Sequence, residues 1–236
     1  MNRAPFAALV AAFVLTACGG DRAGAGADTG AAENVIGMPI ANPGQAPNVF
    51  LVRFETSKGP FTVEAIRDWA PLGVDRFYHL VQSKYYDDVR FFRVVSSFIA
   101  QFGMHGNPRV YQTWDEMPIK DDSVRESNRR GTVTFATSGA DSRTTHLFIN
   151  TAGNRPLDEM GFAPIGRVVQ GMGVVDSLFA DYGDSPPQGQ GPIQDSIKEG
   201  GNDYLQRKFP QLDYILTARV VSDTLGGSAP RDTSAR

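Results

Sequence analysis

The sequence predicts a mainly-β domain, a closed β-barrel plugged by two helices. Three observations carry that expectation. Short runs of strand-like alternation recur from Phe50 to Val221, and only two segments show helical periodicity. Every Trp and Tyr falls between Phe50 and Tyr214. A chain of 236 residues, 41% of them hydrophobic, has material for one ordinary globular core and room for one or two domains. Many short strands with two helices in one compact unit fit a sheet closed on itself.

The elements follow in order. Phe50–Thr56 alternates in strand fashion, Ser57-Lys58-Gly59-Pro60 supplies a turn, and Phe61–Ile66 pairs back. Across Ala70–Lys84, Val74, Phe77, His79-Leu80 and Val81 recur near i, i+3, i+4 and i+7, the stripe of a helix buried on one side. Phe91–Val95 and Phe98–Phe102 are short strands flanking Ser96-Ser97. Thr132–Ala136, His146–Asn150 and Ala163–Val169 add three more, with residues 104–129 reading as a long loop. Met172–Phe179 is a short helix after a glycine, and Leu212–Val221 is the final strand.

The flanks have another character. Residues 1–17 read Met-Asn-Arg and then an apolar stretch from Ala4 to Ala17, which suits an export signal and falls short of the ~20 residues of a bilayer span. The junction Leu15-Thr16-Ala17-Cys18 resembles the lipobox of bacterial lipoproteins, in which the cysteine is acylated and the signal is cut just before it. The alternative is an ordinary signal peptide with Cys18 as a bystander. From Val14 to Val49 there is no aromatic residue, and Gly, Ala, Pro, Asp and Asn dominate. The expected organisation is a signal peptide over 1–17, a lipid-anchored flexible tether over 18–47, a folded domain over 48–222 and a disordered tail over 223–236. The place implied is the extracytoplasmic side of a bacterial envelope, periplasmic in a Gram-negative cell.

Several classes of chemistry are excluded. A net charge of −3 without a basic stripe argues against nucleic acid. One cysteine rules out a disulfide framework, a cysteine zinc site and an iron–sulfur cluster within one chain. The three histidines, His79, His105 and His146, have no metal-ligand spacing, and no G-x-S-x-G occurs. Gly171-Met-Gly-Val-Val-Asp176 lacks the third glycine of a dinucleotide fingerprint, so its glycines read as a helix entry. The pairs Asp87-Asp88 and Asp121-Asp122 read as solvated turns. What remains is a lone Arg93 among apolar strand residues. Alternation puts it on one face with Phe91 and Val95, Ile99 shares a face with Gln101, and His146 shares one with Phe148. A concave surface could thus show a guanidinium, an amide and an imidazole, but on pattern alone a structural ion pair or a stem packed at the barrel rim accounts for Arg93 equally well.

Four blocks then resemble the cyclophilin-type peptidyl-prolyl cis-trans isomerases. They are Phe77–Val95, with its Tyr85-Tyr-Asp and Phe92-Arg-Val; Phe98-Ile-Ala-Gln-Phe-Gly; Gly131–Asn150; and Leu157–Met172. They occur in family order at near-family spacing. The resemblance implies an eight-stranded antiparallel closed barrel with two capping helices, and isomerisation of X-Pro bonds without cofactor or metal. It makes Arg93 the catalytic arginine and Gln101 a polar substrate contact. Phe98, Ile99, Phe148 and Leu157 become walls of a proline pocket, with Ala136 and Thr137 in the groove beside it. Phe162 stands where many members have His, His146 where Gln is usual, and Phe102 where a Gly is usual. Arg155 or Pro156 occupies the position of a Trp used for cyclosporin. Implied partners are proline-containing segments of exported or envelope proteins and a membrane, through lipid on Cys18, for a monomeric protein. A proline-segment binding module or holdase with little turnover is the alternative, and a scaffold protein using the 104–129 loop is a third reading.

Overall fold

The computed structural model describes residues 35–221. The signal peptide, Cys18, the tether up to residue 34 and the tail over 223–236 lie outside the described residues. The strands are β1 (Val49–Thr56), β2 (Gly59–Ile66), β3 (Arg93–Val95), β4 (Ile99–Phe102), β5 (Thr132–Phe135), β6 (Leu147–Asn150), β7 (Pro164–Gln170) and β8 (Ile215–Val221). The helices are α1 (Pro71–Gln82), α2 (Pro108–Asp115), α3 (Pro156–Glu159), α4 (Met172–Asp176) and α5 (Gln194–Lys208). None of them is long and apolar enough to cross a membrane.

The eight strands form one antiparallel sheet in the order β3-β4-β6-β5-β7-β2-β1-β8. The expected closure does not occur: the sheet is an open, curled half-barrel whose edges, β3 and β8, do not pair. At three residues, β3 is too short to run beside the seven of β8. Contact is made ahead of β3, around an isolated bridge between Arg90 and Tyr214. There the Phe91 N–H donates to Asp213 O at 2.9 Å and the Ile215 N–H to Val89 O at 2.8 Å. This irregular stretch also breaks the expected alternation. Phe91 packs in the core, 5.2 Å from the Phe102 ring, instead of sharing a face with Arg93.

The concave face is filled by aromatic rings. Phe54 of β1 stacks on Phe61 of β2 at 4.8 Å and meets Phe77 of α1 and Phe102 of β4 at 6.3 and 5.9 Å. Pro71 opens α1, where a missing N–H costs nothing. The next two amides donate to Asp122, Leu72 to Oδ1 at 3.0 Å and Gly73 to Oδ2 at 2.8 Å. Asp122 is therefore a buried cap, paired at 3.0 Å with buried Arg143, and the solvated-turn expectation fails there. Asp87 is likewise engaged, by Arg219 at 2.6 Å.

Two helices were expected and five are present among the described residues. In the 104–129 segment, Asn107 caps α2 by accepting the Arg109 N–H at 3.0 Å, Pro108 follows, and Val110 and Trp114 turn inward. The stretch between α4 and β8 carries α5, kinked at Gly201 (φ 49°). Ile197 and Leu205 of α5 bury against Phe92, Met104, Tyr111 and Leu212 in a second, smaller core. Residues 35–47, part of the expected tether, lie against the domain. The Gly37 N–H donates to Ser83 O at 2.9 Å, Trp114 Nε1 donates to Gly37 O at 2.7 Å, and the Ala46 N–H reaches Asp75 at 3.0 Å.

Candidate active site

Strand register assembles the first part of the site. Arg93 on β3 lies opposite Gln101 on β4, and Gln101 lies opposite Phe148 on β6, so the three share one face in a row. They border a cavity of about 230 Å³. Phe98 and Ile99 wall it beside Arg93, while Phe148, Leu157 and Phe162 form the apolar opposite side, with the rings of Phe148 and Phe162 edge to face at 5.8 Å. Ala136 and Thr137 form the rim. Nine of the expected site residues thus meet in one place. His146 does not line this cavity; it opens onto a neighbouring one.

A polar network seats the apolar wall. Leu157 and Phe162 flank Asp158, whose carboxylate accepts the Ser127 hydroxyl and, at 2.8 Å each, the Asn128 N–H and Nδ2. Asn128 is fully buried; its Nδ2 also donates to Phe162 O at 2.8 Å and its Oδ1 accepts from Thr134 at 2.9 Å. Burial raises the Asp158 pKa, but the hydrogen bonds from Ser127 and Asn128 outweigh it and hold the carboxyl below its usual range. Asn154 ties the same segment to β4 by donating to Phe98 O at 2.8 Å.

Arg93 is held at both amino groups. Nη1 donates to Gln101 Oε1 at 3.1 Å and Nη2 to Asp184 Oδ2 at 2.6 Å, with the guanidinium carbon 5.7 Å from the Phe98 ring centroid. The hydrogen bond from Arg93 is the leading reason that the Asp184 carboxyl lies below its usual pKa, with burial opposing. Arg93 Nε is buried and has no partner. The guanidinium is therefore fixed in plane, charged, and left with donors to offer an atom in the cavity.

The neighbouring cavity, also about 230 Å³, shares Gln101, Ala136, Thr137 and Gln194 of α5 with the first. Its far wall is Tyr111 and Asp115 of α2, Lys198 of α5, and His146. The Tyr111 hydroxyl donates to Asp115 at 2.9 Å and sits 3.1 Å from His146 Nε2, so its lone pair accepts a neutral Nε2–H. Burial pushes the His146 pKa down to about 4.

Asp184, Tyr111, Asp115, Gln194 and Lys198 went unnoticed in the sequence. The Asn107-Pro108 cap followed by Val110 and Trp114 was a readable signal for α2. Nothing local marks Asp184 or Gln194, since the stretch around them reads as Gly- and Pro-rich turn.

The antiparallel half-barrel thus carries an arginine-bearing apolar cleft on its face. Residues 51–198 match the family model "Cyclophilin type peptidyl-prolyl cis-trans isomerase/CLD". The peptidyl-prolyl cis-trans isomerase of Acinetobacter baylyi is 33% identical over 135 residues, 54% of this chain and 71% of the relative. Isomerase A of Dickeya dadantii is 36% identical over 54% of this chain and 70% of its own length. Isomerase B of Escherichia coli is 31% identical, with 54% and 83% covered. Among solved structures, a Cryptosporidium parvum cyclophilin-type isomerase aligns with a TM-score of 0.55 at 19% identity, covering 74% of this chain and 99% of that one. A second structure of it, in the presence of the dipeptide Ala-Pro, scores the same over 73% and 99%. The chain belongs to the cyclophilin-type family and is a peptidyl-prolyl cis-trans isomerase.

Proposed function

We propose that the chain isomerises X-Pro bonds in exported or envelope proteins, anchored through lipid on Cys18, and that Arg93 stabilises the twisted amide. The observation that carries this reading is the cavity in which a doubly held guanidinium faces an apolar wall of Phe148, Leu157 and Phe162. The crystal form of the Cryptosporidium relative with Ala-Pro supports a proline-containing segment as the occupant.

Amide resonance sets the barrier at roughly 18–20 kcal/mol. Rotation breaks no covalent bond, so no nucleophile is needed. At the top of the barrier the carbonyl is out of conjugation and the proline nitrogen is pyramidal with a localised lone pair. A donor aimed at that lone pair binds the twisted amide and has nothing comparable to bind in the planar one, which is the condition for acceleration. The apolar wall holds the pyrrolidine ring while the preceding carbonyl swings, and Gln101 offers an amide to the peptide backbone. Proline is selected because its ring fills an apolar slot and its nitrogen carries no hydrogen to repel the guanidinium.

Exchange spectroscopy on an Ala-Pro peptide with the full chain tests this. Arg93→Ala is expected to slow catalysed exchange by about 100-fold or more with the fold intact. A binding module or holdase instead shifts peptide peaks without speeding exchange, in the wild type and variant alike. Incorporation of labelled fatty acid that is lost in Cys18→Ala tests the anchor, and an unlabelled wild type refutes it.

A further inference from the structure

We infer that Asp184 is a positioning residue for Arg93, an inference that rests on the catalytic reading of Arg93. Three observations combine. First, Asp184 Oδ2 accepts Arg93 Nη2 at 2.6 Å, on the amino group opposite the one bound to Gln101, yet Asp184 does not line the cavity. It grips the guanidinium from outside and leaves the cavity side free.

Second, the loop is wound to present this carboxylate. The Ser185 N–H donates to Asp184 Oδ1 at 2.7 Å, and the Gly191 N–H donates to Asp184 O at 2.8 Å. A Cβ on Gly189 would stand 2.3 Å from Asp184 O and 2.6 Å from Asp184 N, so the returning strand of the loop passes against the Asp184 peptide at a distance that only glycine permits. The loop is itself pinned to the small core by Tyr182, edge to face with Phe179 at 4.9 Å and with Phe209 at 5.2 Å.

Third, a free arginine has much to lose. Its long side chain has many rotamers to lose, and β3 supplies only three residues of regular strand beneath it. Two acceptors on opposite amino groups define the plane of the fork before substrate arrives, so the donor reaches the twisted amide without first paying for its own ordering. Both partners are about three-quarters buried, at 24% and 26% side-chain exposure, so the pair is shielded from the screening that weakens surface ion pairs.

The test compares Asp184→Ala, Asp184→Asn and Gly189→Ala in the full chain, with an Ala-Pro peptide as substrate. Asp184→Ala is expected to lower kcat about tenfold, with KM within about twofold, because it removes order from the transition-state donor and not from the apolar wall. Asp184→Asn keeps an oxygen acceptor and is expected to restore part of the loss. Gly189→Ala, which displaces the Asp184 peptide without removing charge, is expected to imitate Asp184→Ala. In an Arg93→Ala background, Asp184→Ala is expected to cost nothing further, whereas a merely structural role gives additive losses. Unchanged kcat in Asp184→Ala overturns the inference, and increased kcat overturns it in favour of a masking carboxylate. If Arg93→Ala itself is fully active, it is the catalytic reading of Arg93 that falls.

Discussion

His146 should not titrate in the physiological range, and its replacement by Gln should make the protein more resistant to acid. Burial lowers its pKa from 6.5 to about 4. Asp115 and Lys198 act in opposite senses on it, and Tyr111 offers a neutral acceptor. The sign follows from linkage. A histidine depressed in the folded state binds its proton in the unfolded chain first, so its contribution is intact above about pH 6.5 and is lost as the pH falls toward 4. The full loss is about 3 kcal/mol, an upper bound because the ring is only half-buried. Urea unfolding of the wild type and His146→Gln at about pH 7.5 and about pH 4.5 measures it. The wild type should lose stability relative to the variant across that interval, and catalysis by both should be flat from about pH 5.5 to 8. An NMR titration of the imidazole with a midpoint near its ordinary value refutes the reasoning, as do parallel stability profiles.

Three further outcomes follow from single contacts. Asp122→Ala removes the cap of α1 and one of two carboxylates on the buried Arg143, leaving Asp121 at 3.2 Å and Lys120 O, so it should cost about 2–3 kcal/mol in urea unfolding, with Asp122→Asn costing less. Asp158→Ala strips the acceptor from Ser127 and Asn128 and should cost about 2 kcal/mol. It should also raise KM for an Ala-Pro peptide, because Leu157 and Phe162 lose their seat; unchanged KM would separate the network from the pocket. In Gly166→Ala, the new Cβ would stand 2.1 Å from Glu64 O, across the β2–β7 pairing, so a loss of about 1–3 kcal/mol is expected by thermal unfolding.

What could be read from the sequence is what period-two alternation controls. Gln101 and Ile99 share a face, and Arg93 joins them because β3 pairs in simple register with β4. The apolar residues of the cavity could be assigned because family order placed them. Closure of the barrel could not be read, since it depends on whether two edge strands of unequal length meet. Nor could α5, where Gly200-Gly201 interrupts a sparse apolar stripe and the buried Ile197 and Leu205 are recognised only once Phe92 and Met104 are seen beneath them. Phe91 misled for a related reason: the backbone turns irregularly between the Arg90 bridge and β3, and alternation does not survive such a break.

The departures from the family pattern sort by the face they occupy. Phe102 stands where a glycine is usual, but β4 alternation sends it away from Gln101 into the core, where its ring meets Tyr86 at 5.5 Å and Phe91 at 5.2 Å. It enlarges the core and leaves the groove untouched. The need for a glycine is met one residue later: Gly103 has φ 113°, and a Cβ there would lie 2.3 Å from Thr145 O. His146, by contrast, lies on the groove side, and its partners come from α2 and α5, both outside the expected helices. Asp184, on the loop leading into α5, belongs with them. The sheet therefore supplies Arg93, Gln101 and Phe148, the excursion between α4 and β8 adds a carboxylate on the arginine, and α2 and α5 together wall the second cavity. Substitutions at Arg93, or at Asp184 which holds it, should alter whether an X-Pro bond is turned over, and substitutions at Tyr111, Asp115 or Lys198 should alter which flanking residues are accepted.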